Sequence, residues 1–409
     1  MNKASAALKQ KKGEDVLPYA WVILFVALLA GVAAPFNQFK VPPLMPVLMQ
    51  RFQLNLGTAG LLMTIFAITG FVLALPAGII LQRLGPKVAG LIAIACLVIG
   101  SSLGTLSTSA GFLLATRFVE GAGMGLIAVV SPALIAIWFP PEKRGGPMGV
   151  WGTWVPLGSL IMFNVAPGLE AAAGWQAVWW AGSAFALAAF LLFWLLVRRP
   201  PAGAADSPVG ARSEKGQKMP DLRQSLSNKN LWLLTLAYSC YNFIVVGVVI
   251  TYFPTFLNTN RGFSLADASV VTSISFLVSV FAAPLGGVLS DRMGKRRPFL
   301  LIPFVILAVW IVLAFQTSGW LVTAAMLVFG VIAALIPMSI FAVVPEVMGG
   351  AHLAGLGMAV LLLGQNLGQL LGPLVFGGLV ERIGWANAGY WIAPVAIIGI
   401  AASWFSKIS

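Results

Sequence analysis

Two short stretches of the sequence are copies of one loop: GIILQRLGPK at residues 78–87 and GVLSDRMGKR at residues 287–296. Each begins with a glycine and an apolar run, has an arginine at its sixth position, and continues with a second glycine and basic residues. A repeat at an offset of 209 residues in a chain of 409 indicates that half of the chain has been duplicated. The sequence therefore predicts two related halves.

The composition around these loops is that of a membrane protein. Hydrophobic residues make up 59% of the chain and charged residues only 9%, whereas soluble domains carry about 25% charged residues. The formal net charge of +13 is also found in nucleic-acid-binding proteins, but those carry a basic face or arm. Here the basic residues lie in short loops between apolar runs, so we expect a lipid bilayer and no nucleic acid as partner.

Twelve apolar segments are long enough to cross a bilayer, which requires roughly 20 residues. Six form an amino-terminal bundle at residues 19–197 and six a carboxy-terminal bundle at residues 230–405, joined by a polar cytoplasmic linker at residues 198–229. Residues 1–18 and 406–409 are predicted to be cytoplasmic tails. The predicted helices are Tyr19–Met49, Thr58–Leu81, Val88–Leu106, Gly111–Phe139, Met148–Leu169, Trp175–Val197, Leu231–Leu257, Asp267–Ser290, Pro298–Thr317, Trp320–Val344, Ala354–Val380 and Trp385–Phe405.

The distribution of positive charge predicts the orientation of the chain. If both termini are cytoplasmic, 20 of the 25 Lys and Arg residues lie on the cytoplasmic side and four on or near the opposite side. Cytoplasmic loops of membrane proteins carry such an excess of Lys and Arg. We therefore expect cytoplasmic termini, with the chain in a plasma membrane, as in the inner membrane of a bacterium.

The repeated loop resembles the signature loop of the major facilitator superfamily, in which Asp-Arg precedes the second glycine. The second copy matches fully, whereas the first has Gln82 in place of the aspartate. RFVEGAGMG at residues 117–125 and WFPPEKRG at residues 138–145 resemble two further family motifs. The resemblance implies an all-α membrane protein with two pseudo-symmetric six-helix bundles around a central cavity, which works by alternating access. We expect it to act as a monomer.

The resemblance also implies functional roles for two sets of residues. The first set would form a cytoplasmic gate: Arg83, Asp291, Arg292, Arg296 and Glu346. In this fold the third, sixth, ninth and twelfth helices are outermost, and polar groups collect on the others. The second set would therefore line the cavity and bind substrate: Asn37, Gln38, Lys40, Arg117, Asn164, Tyr238, Tyr241, Asn242, Tyr252, Gln365, Asn366 and Gln369.

Arg117 and Glu120 lie within an apolar span, where a charge costs about 2.5–3.5 kcal/mol even on lenient insertion scales. At positions i and i+3 of a helix they share a face and can pair. One interpretation is therefore a neutralised structural ion pair. In the functional interpretation, Arg117 binds an anionic group and Glu120 exchanges the coupling proton.

The other polar positions also allow two interpretations. Lys40 could extend to the outer water layer or bind substrate. Tyr238, Tyr241, Asn242 and Tyr252 fall on one face of the predicted seventh helix, and Gln365 lies one turn from Gln369 on the eleventh. Such amides and phenols either join helices by hydrogen bonds or contact substrate.

These observations predict a secondary active transporter that takes up a small organic anion together with protons. The alternative is a proton-driven exporter of lipophilic or cationic compounds that uses Glu120 as the cation site, although Val155 stands where relatives of that type have glycine before Pro156. The sequence shows no metal-ligand cluster, no nucleophile with a base and no nucleotide-binding loop, so we expect no enzyme and no cofactor.

Overall fold

The computed structural model describes residues 16–140, 143–198, 227–348 and 354–406. The predicted tails at residues 1–18 and 406–409 and the linker at residues 198–229 lie almost entirely outside the described residues. Within the described residues, twelve helices are long and apolar enough to cross a membrane, and no strand is present. The predicted all-α membrane fold is confirmed.

The helices alternate in direction. We call the end of the bundle near residues 196 and 229, where the first half ends and the second begins, the linker end, and the opposite end the far end. The amino-terminal half consists of α1 (Pro18–Gln38, then Val41–Phe52), α2 (residues 56–84), α3 (residues 86–105), α4 (Ala110–Trp138), α5 (Gly145–Trp151, then Trp154–Ala173) and α6 (Trp175–Leu196). The carboxy-terminal half consists of α7 (Lys229–Arg261), α8 (Leu265–Met293), α9 (Arg297–Ala314), α10 (Trp320–Val347), α11 (Ala354–Ile383) and α12 (Trp385–Phe405).

Three features of the helices differ from the prediction in a way that matters below. Helix α1 is broken at Phe39 and Lys40, because Pro42 and Pro43 have no N–H to give to carbonyls one turn earlier. Helices α2 and α3 form one continuous helical stretch that leaves helical geometry only at Gly85, where φ is 76°. The middle of α7, Phe243–Ile250, is a π-helix.

The duplication extends from the loops to the packing of the two halves. Gly121 of α4 lies against Phe66 and Thr69 of α2, and a Cβ atom there would be 3.0 Å from Thr69. At the same offset of 209 residues, Gly330 of α10 lies against Ser275 and Val278 of α8. The two halves therefore place corresponding helices in contact through corresponding residues.

Among the described residues, the hydrogen bonds between the two halves lie toward the far end. The Gly57 N–H donates to Glu381 Oε1 (2.7 Å), and the Asn164 amide donates to Ser273 Oγ (2.9 Å). Phe39 of α1 also packs against Phe276 of α8, with 6.1 Å between ring centroids. The halves thus close on each other at the far end.

Candidate functional site

The break in α1 leaves backbone carbonyls without helical N–H donors. Arg117 of α4 donates hydrogen bonds to these carbonyls instead. Its Nη1 and Nη2 donate to the carbonyls of Asn37 and Gln38, each at 2.7 Å, and its Nε donates to the carbonyl of Leu62 at 3.2 Å. The guanidinium also lies over the Phe66 ring, 3.9 Å from its centroid. One side chain therefore joins α4 to the break in α1 and to α2.

Glu120 lies between two cations. One carboxylate oxygen is 2.5 Å from Lys40 Nζ and the other is 2.5 Å from Arg117 Nη1. The expected pairing of Arg117 with Glu120 is present, and Lys40 joins it from a position 80 residues earlier. We call Lys40, Arg117 and Glu120 the charged triad.

The Lys40 ammonium has a partner for each of its three hydrogens. Besides Glu120, it donates to Ser101 Oγ at 2.9 Å and to Asn37 Oδ1 at 3.2 Å, and it lies 4.6 Å from the centre of the Trp179 ring. An ammonium group carries three donors and no acceptor, so its hydrogen bonding is complete. The alternative that Lys40 extends into water does not hold in this structure.

The charged triad is sealed inside the amino-terminal half. All three side chains have 0% exposed surface. Glycines permit this packing: a Cβ atom on Gly100 of α3 would lie 2.6 Å from Glu120 Cγ. With Glu120 ionised the triad carries a net charge of +1, and with Glu120 protonated it carries +2. Such a charge inside a bilayer is costly and is a marker of ion or substrate pathways.

A second polar group lies between α7 and α11. The Tyr238 hydroxyl donates to Gln365 Oε1 (3.0 Å), and one turn further along each helix Gln369 Nε2 donates to Asn242 Oδ1 (3.1 Å). We call Tyr238, Asn242, Gln365 and Gln369 the amide ladder. Tyr241 stacks on Tyr238 but donates to the Ala333 carbonyl of α10. The described hydrogen bonds of the ladder stay within the carboxy-terminal half and do not include the triad.

The remaining predicted cavity residues lie where the two halves meet. The Tyr252 hydroxyl is 2.7 Å from the Pro373 carbonyl of α11 and 3.2 Å from the Leu56 carbonyl of α2, both toward the far end. Asn164 joins α5 to α8. Asn366 of α11 lies against Gly70 of α2, where a Cβ atom would be 2.9 Å from its Oδ1.

The five predicted gate residues all lie at the linker end. The Asp291 carboxylate is 3.9 Å from Arg296 Nη2, and Arg296 also donates to the Ala342 carbonyl of α10. Arg83, Arg292 and Glu346 are exposed at the same end. Their role in gating stays a prediction.

Several partners of the site were not predicted from the sequence. Ser101 of α3 and Trp179 of α6 contact Lys40, although those helices were expected on the apolar outside. The one available signal was the Ser101-Ser102 pair inside an otherwise apolar segment. Glu381 was missed as well. Its carboxylate accepts from the first turn of α2, where free N–H groups and the helix dipole favour negative charge.

Comparisons with known proteins agree on one protein family. The model of the Major Facilitator Superfamily matches residues 27–270 and 256–408. The chain is 26% identical to a probable sulfoacetate transporter, SauU, of Cupriavidus necator, over 93% of the chain and 92% of that protein. It is 26% identical to a hexuronate transporter of Bacillus subtilis, with the same coverage, and 26% identical to a probable nitrate transporter, NarT, of Staphylococcus epidermidis, over 97% and 96%.

Solved structures show the same fold. A bacterial homolog of the human lysosomal transporter Spinster superposes with a TM-score of 0.80, at 18% identity over 95% of this chain and 96% of that one. A D-xylose-proton symporter superposes with a TM-score of 0.77, at 19% identity over 95% and 97%. Twelve membrane helices, a duplicated loop and a matching family model over nearly the whole length agree, and the chain belongs to the Major Facilitator Superfamily as a secondary transporter, not an enzyme.

Proposed function

We propose that the protein takes up a small organic anion, a carboxylate or sulfonate, together with protons. The observation that carries this proposal is the charged triad, which has two cations for one carboxylate and no exposed surface. A site with excess positive charge in a low-dielectric interior attracts an anion. The relatives named above are described as transporters of sulfoacetate, hexuronate and nitrate, all of them anions.

The geometry suggests how proton and anion are coupled. With Glu120 ionised, its two oxygens hold Lys40 and Arg117, and neither cation is free for substrate. Protonation of Glu120 removes the counter-charge of both and releases them to bind an anionic group. Each ligand then favours binding of the other, which is the linkage that a symporter requires.

Access to the triad requires movement at the break in α1. Lys40 is part of that break, and Arg117 is bound to the two carbonyls that precede it. Phe39 lies beside it, against Phe276 of the other half. We infer that a change in the packing of the α1 break opens the triad toward the space between the halves as they rock.

The same proposal gives the amide ladder and the two ends of the molecule a role. The ladder offers neutral donors and acceptors, which suit hydroxyl or carbonyl groups on the uncharged part of the substrate. The excess of Lys and Arg supports a cytoplasmic position for the linker end. The structure would then represent the state that is closed to the outside.

Export of cationic compounds is the less favoured function. Both oxygens of Glu120 are already paired with cations at 2.5 Å, so a cationic substrate would have to displace Lys40 or Arg117. Val155 before Pro156 also departs from the pattern of such exporters.

Uptake by proteoliposomes tests the proposal. We expect purified protein to accumulate labelled sulfoacetate or a hexuronate when the outside is more acidic than the inside. Arg117→Ala should abolish accumulation, whereas Arg51→Ala, which removes an exposed arginine at the far end, should leave it unchanged. If no weak-acid anion in a panel is accumulated, or if Arg117→Ala transports normally, the proposal is wrong.

A further inference from the structure

An apolar groove lies on the outer surface of the carboxy-terminal half, toward the linker end. It has a volume of about 220 Å³, and α8, α9 and α10 form its walls. Ile302 and Val331 are 58% and 41% exposed, so the groove opens outward to the bilayer. Its lining is entirely apolar: Met293, Pro298, Phe299, Ile302, Pro303, Ile306, Val331, Ile332 and Leu335.

The corresponding place in the amino-terminal half is closed. At an offset of 209 residues, Ala93 corresponds to Ile302 and Gly123 to Ile332. Ala93 is completely buried, and a Cβ atom on Gly123 would lie 2.5 Å from its carbonyl oxygen, so α3 packs directly on α4. In the carboxy-terminal half, Ile302 and Ile332 both line the groove. The groove is therefore a feature of one half and not of the fold.

Basic residues adjoin the groove in sequence at its linker-end mouth. Arg292, Lys295, Arg296 and Arg297 immediately flank the lining residues Met293 and Pro298, and the one acid among them is Asp291. Arg292 and Lys295 are exposed. The corresponding stretch of the amino-terminal half has only two basic residues, Arg83 and Lys87.

The depth of this mouth matches that of lipid headgroups. The Arg297 guanidinium lies 4.7 Å from the centre of the Trp404 ring and donates to the Trp404 carbonyl at 2.9 Å. Exposed tryptophans at helix ends mark the boundary between hydrocarbon and headgroups. The basic residues thus lie at headgroup level, while the groove extends into the hydrocarbon layer.

We propose that this groove binds one acyl chain of an anionic phospholipid, with the lipid phosphate held by Arg292 and Lys295. An apolar channel that faces hydrocarbon requires an apolar occupant, and the basic mouth selects a headgroup with net negative charge. Bound there, the lipid lies between α8 and α10 and beside the second signature loop. The site is independent of the transported substrate.

Native mass spectrometry of the full-length protein in detergent tests this site. The protein would be titrated with phosphatidylglycerol or phosphatidylcholine of identical chains. We expect phosphatidylglycerol to bind more tightly, and Arg292→Gln with Lys295→Gln to weaken its binding about tenfold. Lys87→Gln, in the amino-terminal copy of the loop, serves as the matched control and should leave the affinity unchanged.

The groove itself is tested by filling it. Ile302→Trp, and independently Val331→Trp, should weaken binding of the lipid chain, whereas Ile398→Trp on the exposed surface of α12 should not. Unchanged thermal unfolding in detergent shows that a variant has folded. Equal binding of the two lipids, unchanged binding to both groove variants, or a dimer that buries the groove would each overturn the proposal.

Discussion

The two halves place opposite chemistry at corresponding positions. The offset of 209 residues relates the charged triad to Val249, Met326 and Phe329, and it relates Ser101 to Trp310. Val249, Met326 and Phe329 are completely buried, and Trp310 stacks on Phe329 with ring centroids 4.5 Å apart. The same fold is thus packed with apolar and aromatic side chains in one half and with charges in the other.

This difference separates the requirements of the fold from those of function. The carboxy-terminal half shows that the architecture needs no charge at these positions. Replacement of buried ion pairs by apolar residues is often neutral or stabilising, so stability alone does not explain why Lys40, Arg117 and Glu120 are present. The proposal that these charges serve transport is consistent with this difference.

The largest effect is expected for Arg117→Met, which introduces the residue found at the corresponding position, Met326. It leaves Glu120 with one cation and the carbonyls of Asn37 and Gln38 without donors. We expect a loss of about 3–5 kcal/mol in the free energy of unfolding, as for a broken buried ion pair. Denaturant unfolding in detergent measures the stability, and proteoliposome uptake measures the loss of transport.

The matched control is the triple variant Lys40→Met, Arg117→Met and Glu120→Met. It removes all buried charge at once, as in the other half, and should regain most of the stability while transport remains absent. A triple variant that still transports would contradict our assignment of the charges to function.

A smaller effect is expected for Ser101→Ala, which removes one acceptor from the Lys40 ammonium. A buried charged donor without its partner costs about 1–3 kcal/mol. The pH at which uptake is half-maximal should also shift, because Lys40 is the partner of Glu120. Ser102→Ala, whose hydroxyl pairs with Ser183, is the neighbouring control and should leave the pH profile in place. Identical pH profiles for Ser101→Ala and wild type would argue against this coupling.

Tyr252→Phe should change the balance between conformations and not the chemistry. The hydroxyl joins α7 to α11 and α2 at the far end, and a hydrogen bond of this kind contributes about 1 kcal/mol. We expect the population open at the far end to rise about fivefold. Distances between spin labels on the far ends of α2 and α11 would report it. Tyr390→Phe, on an exposed tyrosine, should not change these distances.

The smallest effect is expected for Asp291→Asn in the second signature loop. Its carboxylate is 3.9 Å from Arg296 and largely exposed, and such pairs contribute about 0–1 kcal/mol. Unfolding in detergent should be close to that of wild type. A loss as large as that of Arg117→Met would mean that the loop pair, and not the buried triad, dominates the electrostatics of the molecule.

Local patterns in the sequence were sufficient to predict the fold and part of the candidate site. Hydropathy located twelve helices, and spacing of i and i+3 predicted the contact of Arg117 with Glu120. The contacts of Lys40 with Ser101 and Trp179 could not be predicted, because they join residues 61 or more positions apart through packing that sequence spacing does not specify. The break in α1 was missed although Pro42 and Pro43 signal it, since the apolar run continues through them.

The π-helix in α7 was missed for a different reason. Phe243–Ile250 is a continuous apolar run, FIVVGVVI, with no residue that marks a departure from α-helical geometry. Within it, Gly247 packs against Gly372 of α11, where a Cβ atom would be 2.8 Å from the Gly372 Cα. Close backbone packing between distant segments is not visible in local sequence.

The most direct test of the central claim compares wild type with Glu120→Gln in proteoliposomes that hold the anion on both sides. Wild type should accumulate labelled anion against its gradient when a proton gradient is imposed. Glu120→Gln keeps the shape of the side chain but cannot release a proton, so it should exchange labelled for unlabelled anion without accumulation. If Glu120→Gln accumulates the anion in response to the proton gradient as wild type does, the charged triad is not the site of proton coupling.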